Sequence, residues 1–208
     1  NAPLGVPKQL TDFPDPVGGG SWQPTSGDYF LFFKATGGNE VSQLYRYDAG
    51  PGKVTPLTAD SKKRIGGGPW STAGDRYLYT AVATGAASAS ETFKTELYTI
   101  DPMNPDSAKL LVALEGVGWG ASDWSPDDKK LVIGQYVSAN ESYLYLYDIA
   151  TGEKTLLTPK EGDEKVAWSG AVFTKDGKGI YTTSDKGSEF SRLVHMDLAT
   201  KKITPLSA

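Results

Sequence analysis

The sequence predicts an all-β chain of four four-stranded sheets, set out as the blades of a β-propeller. Three observations lead there: an aromatic anchor that returns about every fifty residues, a turn signal directly behind each anchor, and short apolar runs of strand length between the turns. Gly 24, Pro 13 and an aromatic content of 11% suit many short strands joined tightly.

The anchors are Trp22, Trp70, Trp124 and Phe173. Each is expected to close the innermost strand of its blade. Behind them stand Thr25-Ser26-Gly27-Asp28, Ser71-Thr72-Ala73-Gly74-Asp75, Ser125-Pro126-Asp127-Asp128 and Thr174-Lys175-Asp176-Gly177, where Asx side chains, glycine and a fixed proline φ favour a tight reversal. A second strand follows in each unit: Tyr29–Phe33, Arg76–Thr80, Lys130–Gly134 and Gly179–Thr183. The third strands align Leu44, Leu97, Leu144 and Leu193 in one column and Tyr45, Tyr98, Tyr145 and Val194 in the next. Adjacent columns point to opposite sheet faces, so two apolar columns predict sheets covered on both sides by neighbouring blades. A two-sheet sandwich, the second-ranked architecture, would leave one face polar. Asp48, Asp101, Asp148 and Asp197 then open a second turn ahead of the outer strand.

The expected blades span residues 20–58, 66–113, 119–158 and 168–207, with 8–11 an orphan outer strand resembling the blade-ending Leu156-Leu157-Thr158. An unattached outer strand favours a portion of a larger ring, of about six to eight blades, over a closed four-bladed one. An open arc is expected to expose apolar flanks and to self-associate through its open blade edges unless further blades cover them.

Composition narrows the function classes. A net charge of -4 with scattered cations gives no reason to approach nucleic acid or an anionic membrane. The run Lys62-Lys63-Arg64 is read as a solvated inter-strand loop. The absence of cysteine removes disulfides and thiolate metal sites, and no apolar stretch is long enough to span a bilayer as a helix.

The longer phrases Gln9-Leu10-Thr11-Asp12-Phe13-Pro14-Asp15-Pro16-Val17, Gln43-Leu44-Tyr45-Arg46-Tyr47-Asp48, Asn140–Asp148 and Asp185–Phe190 resemble the propeller that precedes the hydrolase domain in the prolyl-oligopeptidase family of serine peptidases, in its bacterial dipeptidyl-peptidase or acylaminoacyl-peptidase branch. The Ser-Pro-Asp and Asp-x-x-Thr-Gly elements are shared with periplasmic TolB-like propellers. The first resemblance implies a gate that admits short peptides to an α/β-hydrolase domain, and a periplasmic or secreted location. No catalytic residue of that family can be carried over, and the adjacent glutamates with which some members hold a substrate amine have no counterpart.

The residues themselves agree. A nucleophile elbow needs Gly-x-Ser-x-Gly, and Gly120-Ala121-Ser122-Asp123-Trp124 lacks its last glycine and runs into a strand. The single histidine, His195, shares a column with Arg46, Thr99 and Leu146, which reads as a strand surface. No cofactor and no metal are expected, because Asp127, Asp128 and Asp176 fall where turns need caps and a calcium loop's spacing is missing. The candidate binding positions are Glu40, Glu141 and Glu189, which recur before the third strand, with Trp119 and Trp168 between blades. Together they suggest a rim facing a peptide substrate or another domain. The alternatives are a stand-alone TolB-like propeller binding a protein partner and a tunnel enzyme, for which no carboxylate pair stands out.

Overall fold

The computed structural model describes residues 5–85, 92–159 and 165–207. It is all-β among these residues, with four antiparallel four-stranded sheets, each built from four consecutive strands. Blade 1 comprises β1 (Val17–Trp22), β2 (Tyr29–Lys34), β3 (Gln43–Asp48) and β4 (Lys53–Pro56). Blade 2 comprises β5 (Lys63–Trp70), β6 (Tyr77–Ala83), β7 (Lys94–Asp101) and β8 (Asn104–Glu115). Blade 3 has β9 (Trp119–Trp124), β10 (Lys130–Ser138), β11 (Glu141–Asp148) and β12 (Lys154–Leu156). Blade 4 has β13 (Trp168–Phe173), β14 (Gly179–Ser184), β15 (Arg192–Asp197) and β16 (Ile203–Pro205). The chain has the β-propeller fold.

Each anchor ends an inner strand, and the turn behind it forms for the reason its residues suggest. Gly74, Asp128 and Gly177 donate their N–H groups to the carbonyls of Ser71, Ser125 and Thr174 at 2.8–2.9 Å. The hydroxyls of those three residues bond Asp75, Asp127 and Asp176. The first turn is one residue longer, closing from Gly27 N–H to Gln23 O, with the Gln23 amide oxygen in the cap's place.

Apolar cores lie between blades. In antiparallel pairs opposed residues share a face, so the register assigns Leu31, Leu44 and Arg46 to one side of blade 1 and Phe30, Phe32, Tyr45 and Tyr47 to the other. The first core packs Leu31, Leu44 and Leu57 against Ile65, Tyr77, Tyr79 and Ile100 of blade 2. The second packs Leu78, Leu97 and Leu114 against Trp119, Trp124, Leu131 and Ile133 of blade 3. The third packs Val132, Leu144 and Leu157 against Trp168, Ile180, Val194 and Met196 of blade 4. Leucine side chains at 0–6% exposure in these seams each contribute about 1.5–3 kcal/mol.

Every inner strand also carries a bulge just before its anchor, between Gly18/Gly20, Gly67/Trp70, Val132/Ile133 on the partner side of β9, and Ser169/Ala171. Such bulges sharpen the local twist of the strand nearest the blade axis. The sequence analysis did not locate them, although Gly19 and Gly170, both at positive φ, lie within two.

Three expectations change. Residues 8–11 form no strand and are exposed or nearly so; each sheet already ends in its own outer strand, and 8–11 adds to none of them. Lys63 and Arg64 belong to β5 instead of a loop, and Lys63 pairs with Glu96 at 2.6 Å over the ring of Tyr98. Finally, the leucine column is buried in three blades but not the fourth, where Leu193 is 43% exposed, because the described residues place no blade against that face.

Candidate functional site

The second-to-third strand hairpins and the starts of the inner strands lie at one end of the blades, opposite the anchor turns, as the strand order requires. All five candidate residues are therefore at that end. Glu40 lies ahead of β3 with φ 56, and Glu189 lies between β14 and β15; both are exposed. Glu141 opens β11, accepts a hydrogen bond from the Tyr143 hydroxyl at 2.7 Å and meets Lys165 Nζ at 3.4 Å. That bond pushes the Tyr143 hydroxyl pKa upward, since the carboxylate stabilises the protonated phenol.

The two tryptophans are set deeper. Trp119 begins β9 with its indole N–H on Glu115 O at 2.9 Å, and Lys154 Nζ stands 4.4 Å from its ring centre. Burial lowers the Lys154 pKa. Trp168 begins β13 and is tied to blade 3 through Ser142, whose hydroxyl contacts both its N–H and its carbonyl at 2.6 Å. The structure thus brings Glu141 and Trp168 to neighbouring positions across the third seam. Glu40 stands apart from them on blade 1, and Glu189 lies on blade 4 in the exposed connection between β14 and β15. A cavity of about 240 Å³ lies beside Trp168, lined by Ser142, Ser169, Gln135 and the glycines 118, 120, 134 and 170.

The sequence analysis missed a larger groove. It lies at the anchor-turn end between blades 1 and 2, encloses about 870 Å³, and is lined by Gln23, Tyr29, Arg46, Asp48, Asp75 and Asp101 among others. Arg46 is buried there. Its Nε lies 2.8 Å from Asp48 Oδ1, its Nη1 donates to Pro102 O of blade 2, and its guanidinium stands over the Tyr29 ring. Burial, then the carboxylate of Asp101, raises the Tyr29 pKa. Through the Nη1 bond to Pro102 and an Nη2 bond to Asp48 Oδ2 at 3.1 Å, Arg46 ties the two blades together, while its Nε, though close to Asp48, makes no hydrogen bond. The signal for it was the charged residue in an otherwise varied column.

No catalytic constellation emerges among the described residues. His195 meets the Tyr181 ring at 5.5 Å on the outer flank of blade 4. Neither a serine nucleophile nor a second histidine accompanies it. Among the described residues no group of three or more His, Asp or Glu side chains is placed to hold a metal ion, and no helix is long and apolar enough to cross a membrane.

Comparison with known proteins places this fold. No family model and no curated protein matches the sequence. Among solved structures, TolB from Acinetobacter baumannii superposes with a TM-score of 0.65 and 18% identity over 97% of this chain and 46% of that one. A prolyl endopeptidase, from a structural and mechanistic analysis of two such enzymes, gives 0.70 and 15% over 93% and 29%. An oligogalacturonate lyase from Vibrio parahaemolyticus gives 0.69 and 16% over 95% and 55%. The chain therefore spans between 29% and 55% of the length of these three structures. At such identities the likeness is one of fold, and it extends across proteins of different activity.

Proposed function

We propose that this chain is the non-catalytic propeller portion of a prolyl-oligopeptidase-like serine peptidase, gating and positioning peptides for an α/β-hydrolase domain that lies outside the chain. The observation that carries the reading is the combination of the extended family-like phrases with a fold that fits a prolyl endopeptidase over 93% of this chain but only 29% of that one. The hairpin end of the blades, with Glu40, Glu141 and Glu189 outermost and Trp119 and Trp168 beneath, is the rim we assign to peptide or domain contact. A periplasmic or secreted setting goes with this reading. The second reading, a TolB-like propeller that binds a protein partner, is favoured by the equally extensive fit to TolB over 97% of the chain.

The two readings separate on peptide hydrolysis. The product of the complete reading frame should cleave short peptides and spare folded proteins, whereas the 208-residue chain should cleave neither. Replacing Glu40, Glu141 and Glu189 together by glutamine should raise KM for short peptides about tenfold or more, on the order of the loss of one hydrogen bond to a charged group. A complete product that hydrolyses no peptide, yet captures a protein partner, would transfer the conclusion to the second reading.

A further inference from the structure

The groove at the anchor-turn end of the first seam is walled by turns from both blades, and its charges do not cancel. Asp48 faces Arg46, and Asp75 lies 3.5 Å from Arg76 Nε. The other two carboxylates have no cation of the chain beside them among the described residues. Asp28, exposed at the end of the first anchor turn, makes neither a hydrogen bond nor an ion pair through its side chain. Asp101, half-buried on blade 2, accepts only the Met103 N–H, at 2.8 Å.

Tyr29 is short of a partner in the same place. It opens β2, is 7% exposed, and packs its ring against Trp70 and the Arg46 guanidinium. Its hydroxyl has no hydrogen-bond partner among the described residues. Two other buried seam tyrosines do find one: Tyr77 accepts from Gly68 N–H at 3.3 Å, and Tyr147 donates to Leu111 O at 2.9 Å. After burial, the charges that raise the Tyr29 pKa are those of Asp101, Asp48 and Asp75, all of which line the groove, so the hydroxyl is turned toward it. A polar group buried without a partner costs free energy that a bound ligand can return.

We propose that this groove binds a primary ammonium carried on an unbranched aliphatic stem, the chemistry of a lysine side chain. The ammonium donates to the Tyr29 hydroxyl oxygen and to Asp101, and Asp28 adds to the attraction. The stem lies against the apolar wall of Pro51 and Met103, the latter 60% exposed. An organic cation suits the site better than a bare metal ion, because among the described residues no three carboxylates converge as ligands and part of the wall is apolar. An ammonium suits it better than a guanidinium, because one oxygen of Asp101 is already engaged by Met103 and a bidentate fork needs both. The groove lies at the opposite end of the blades from Glu141 and Trp168, so the inference does not depend on peptide hydrolysis.

The test is a titration of the 208-residue chain at neutral pH with Nα-acetyl-lysine amide, read by calorimetry and amide NMR, with thermal melting of every variant. Saturable binding should appear with a dissociation constant of about 1 mM or below and shift the amide signals of Asp28, Asp101 and Met103. Cadaverine is the free-amine arm: tighter binding of the lysine amide assigns the site to a peptide side chain, and tighter binding of cadaverine to a free amine. Acetylating the probe's Nε, which keeps the stem and removes the charge, should abolish binding. Tyr29→Phe should weaken binding about fivefold with an unchanged melting temperature, because the lost hydroxyl bonds nothing in the free protein. Asp101→Asn, whose amide oxygen can still accept from Met103, should weaken it about tenfold. The proposal is overturned if neither amine binds saturably up to about 50 mM, if the acetylated probe binds as well as the free one, or if both variants bind as wild type does. A Tyr29→Phe protein that melts well below wild type would also overturn it, since the hydroxyl would then serve the fold.

Discussion

Single polar side chains hold the seams where apolar contact alone would let blades slide. Ser142 is the clearest case: it is 7% exposed, and its hydroxyl serves both the N–H and the carbonyl of Trp168 in the next blade. Ser142→Ala should therefore leave two buried main-chain groups unsatisfied and cost about 1–3 kcal/mol, measured by urea denaturation. A surface serine removed from such a network would change little. Asp123 performs a similar task on Phe173, at the expense of burial that raises its pKa. From the sequence, Asp123 and Ser142 were merely polar letters inside strands. Their partners lie 50 and 26 residues away, and no local pattern specifies a bond across that separation.

At the scale of the element, identical letters in one column have different energies. Leu97 and Leu193 are repeat equivalents on third strands, but Leu97 is fully buried in the second seam while Leu193 lies on the open flank. Leu97→Ala should cost about 2–5 kcal/mol through lost transfer energy and the cavity left behind. Leu193→Ala, on the open flank, should stay within about 0.5 kcal/mol. Paired denaturation curves at matched concentration give the comparison directly. Equal losses would mean that the column is not governed by the neighbouring blade. The strands themselves were legible: the anchor, the turn behind it and the aspartate before the outer strand are local signals, and they act locally. Asp148 caps Ala150 and Thr151, Asp197 caps Thr200 and Asp101 caps Met103. Asp48 departs from the series because Arg46 takes its carboxylate. The inner-strand bulges were not legible, since only in two blades does a positive-φ glycine mark them.

Across the whole molecule, turn carboxylates and seam tyrosines set the pH range of stability. Asp75, Asp127, Asp148, Asp176 and Asp197 all have lowered pKa values, caused first by hydrogen bonds from turn hydroxyls or main-chain N–H groups. Their folded values lie below the unfolded 3.8, so the contribution is complete above that value and disappears as pH falls through the folded ones. Burial acts in the opposite sense on tyrosine, pushing Tyr79 up to about 12. That stabilisation is complete below 10.0 and is lost as pH rises through about 12. Thermal melting followed from about pH 2 to pH 12 should thus fall at both ends, with tyrosine ionisation at the alkaline end coinciding with unfolding. Tyrosines that ionise near their ordinary value before the melt would contradict the burial assigned to them.

By itself the sequence determined four units, four strands in each, the anchor turns and the absence of a nucleophile elbow, because period-two patterning, turn chemistry and motif spacing are written in consecutive residues. Only the tertiary structure decided which side of each blade is covered, that Arg46 and Ser142 bind across seams, and that Trp22 and Leu193 stand open. Burial belongs to the neighbour as much as to the residue, and at the first and fourth blades the described residues supply a neighbouring blade on one side only.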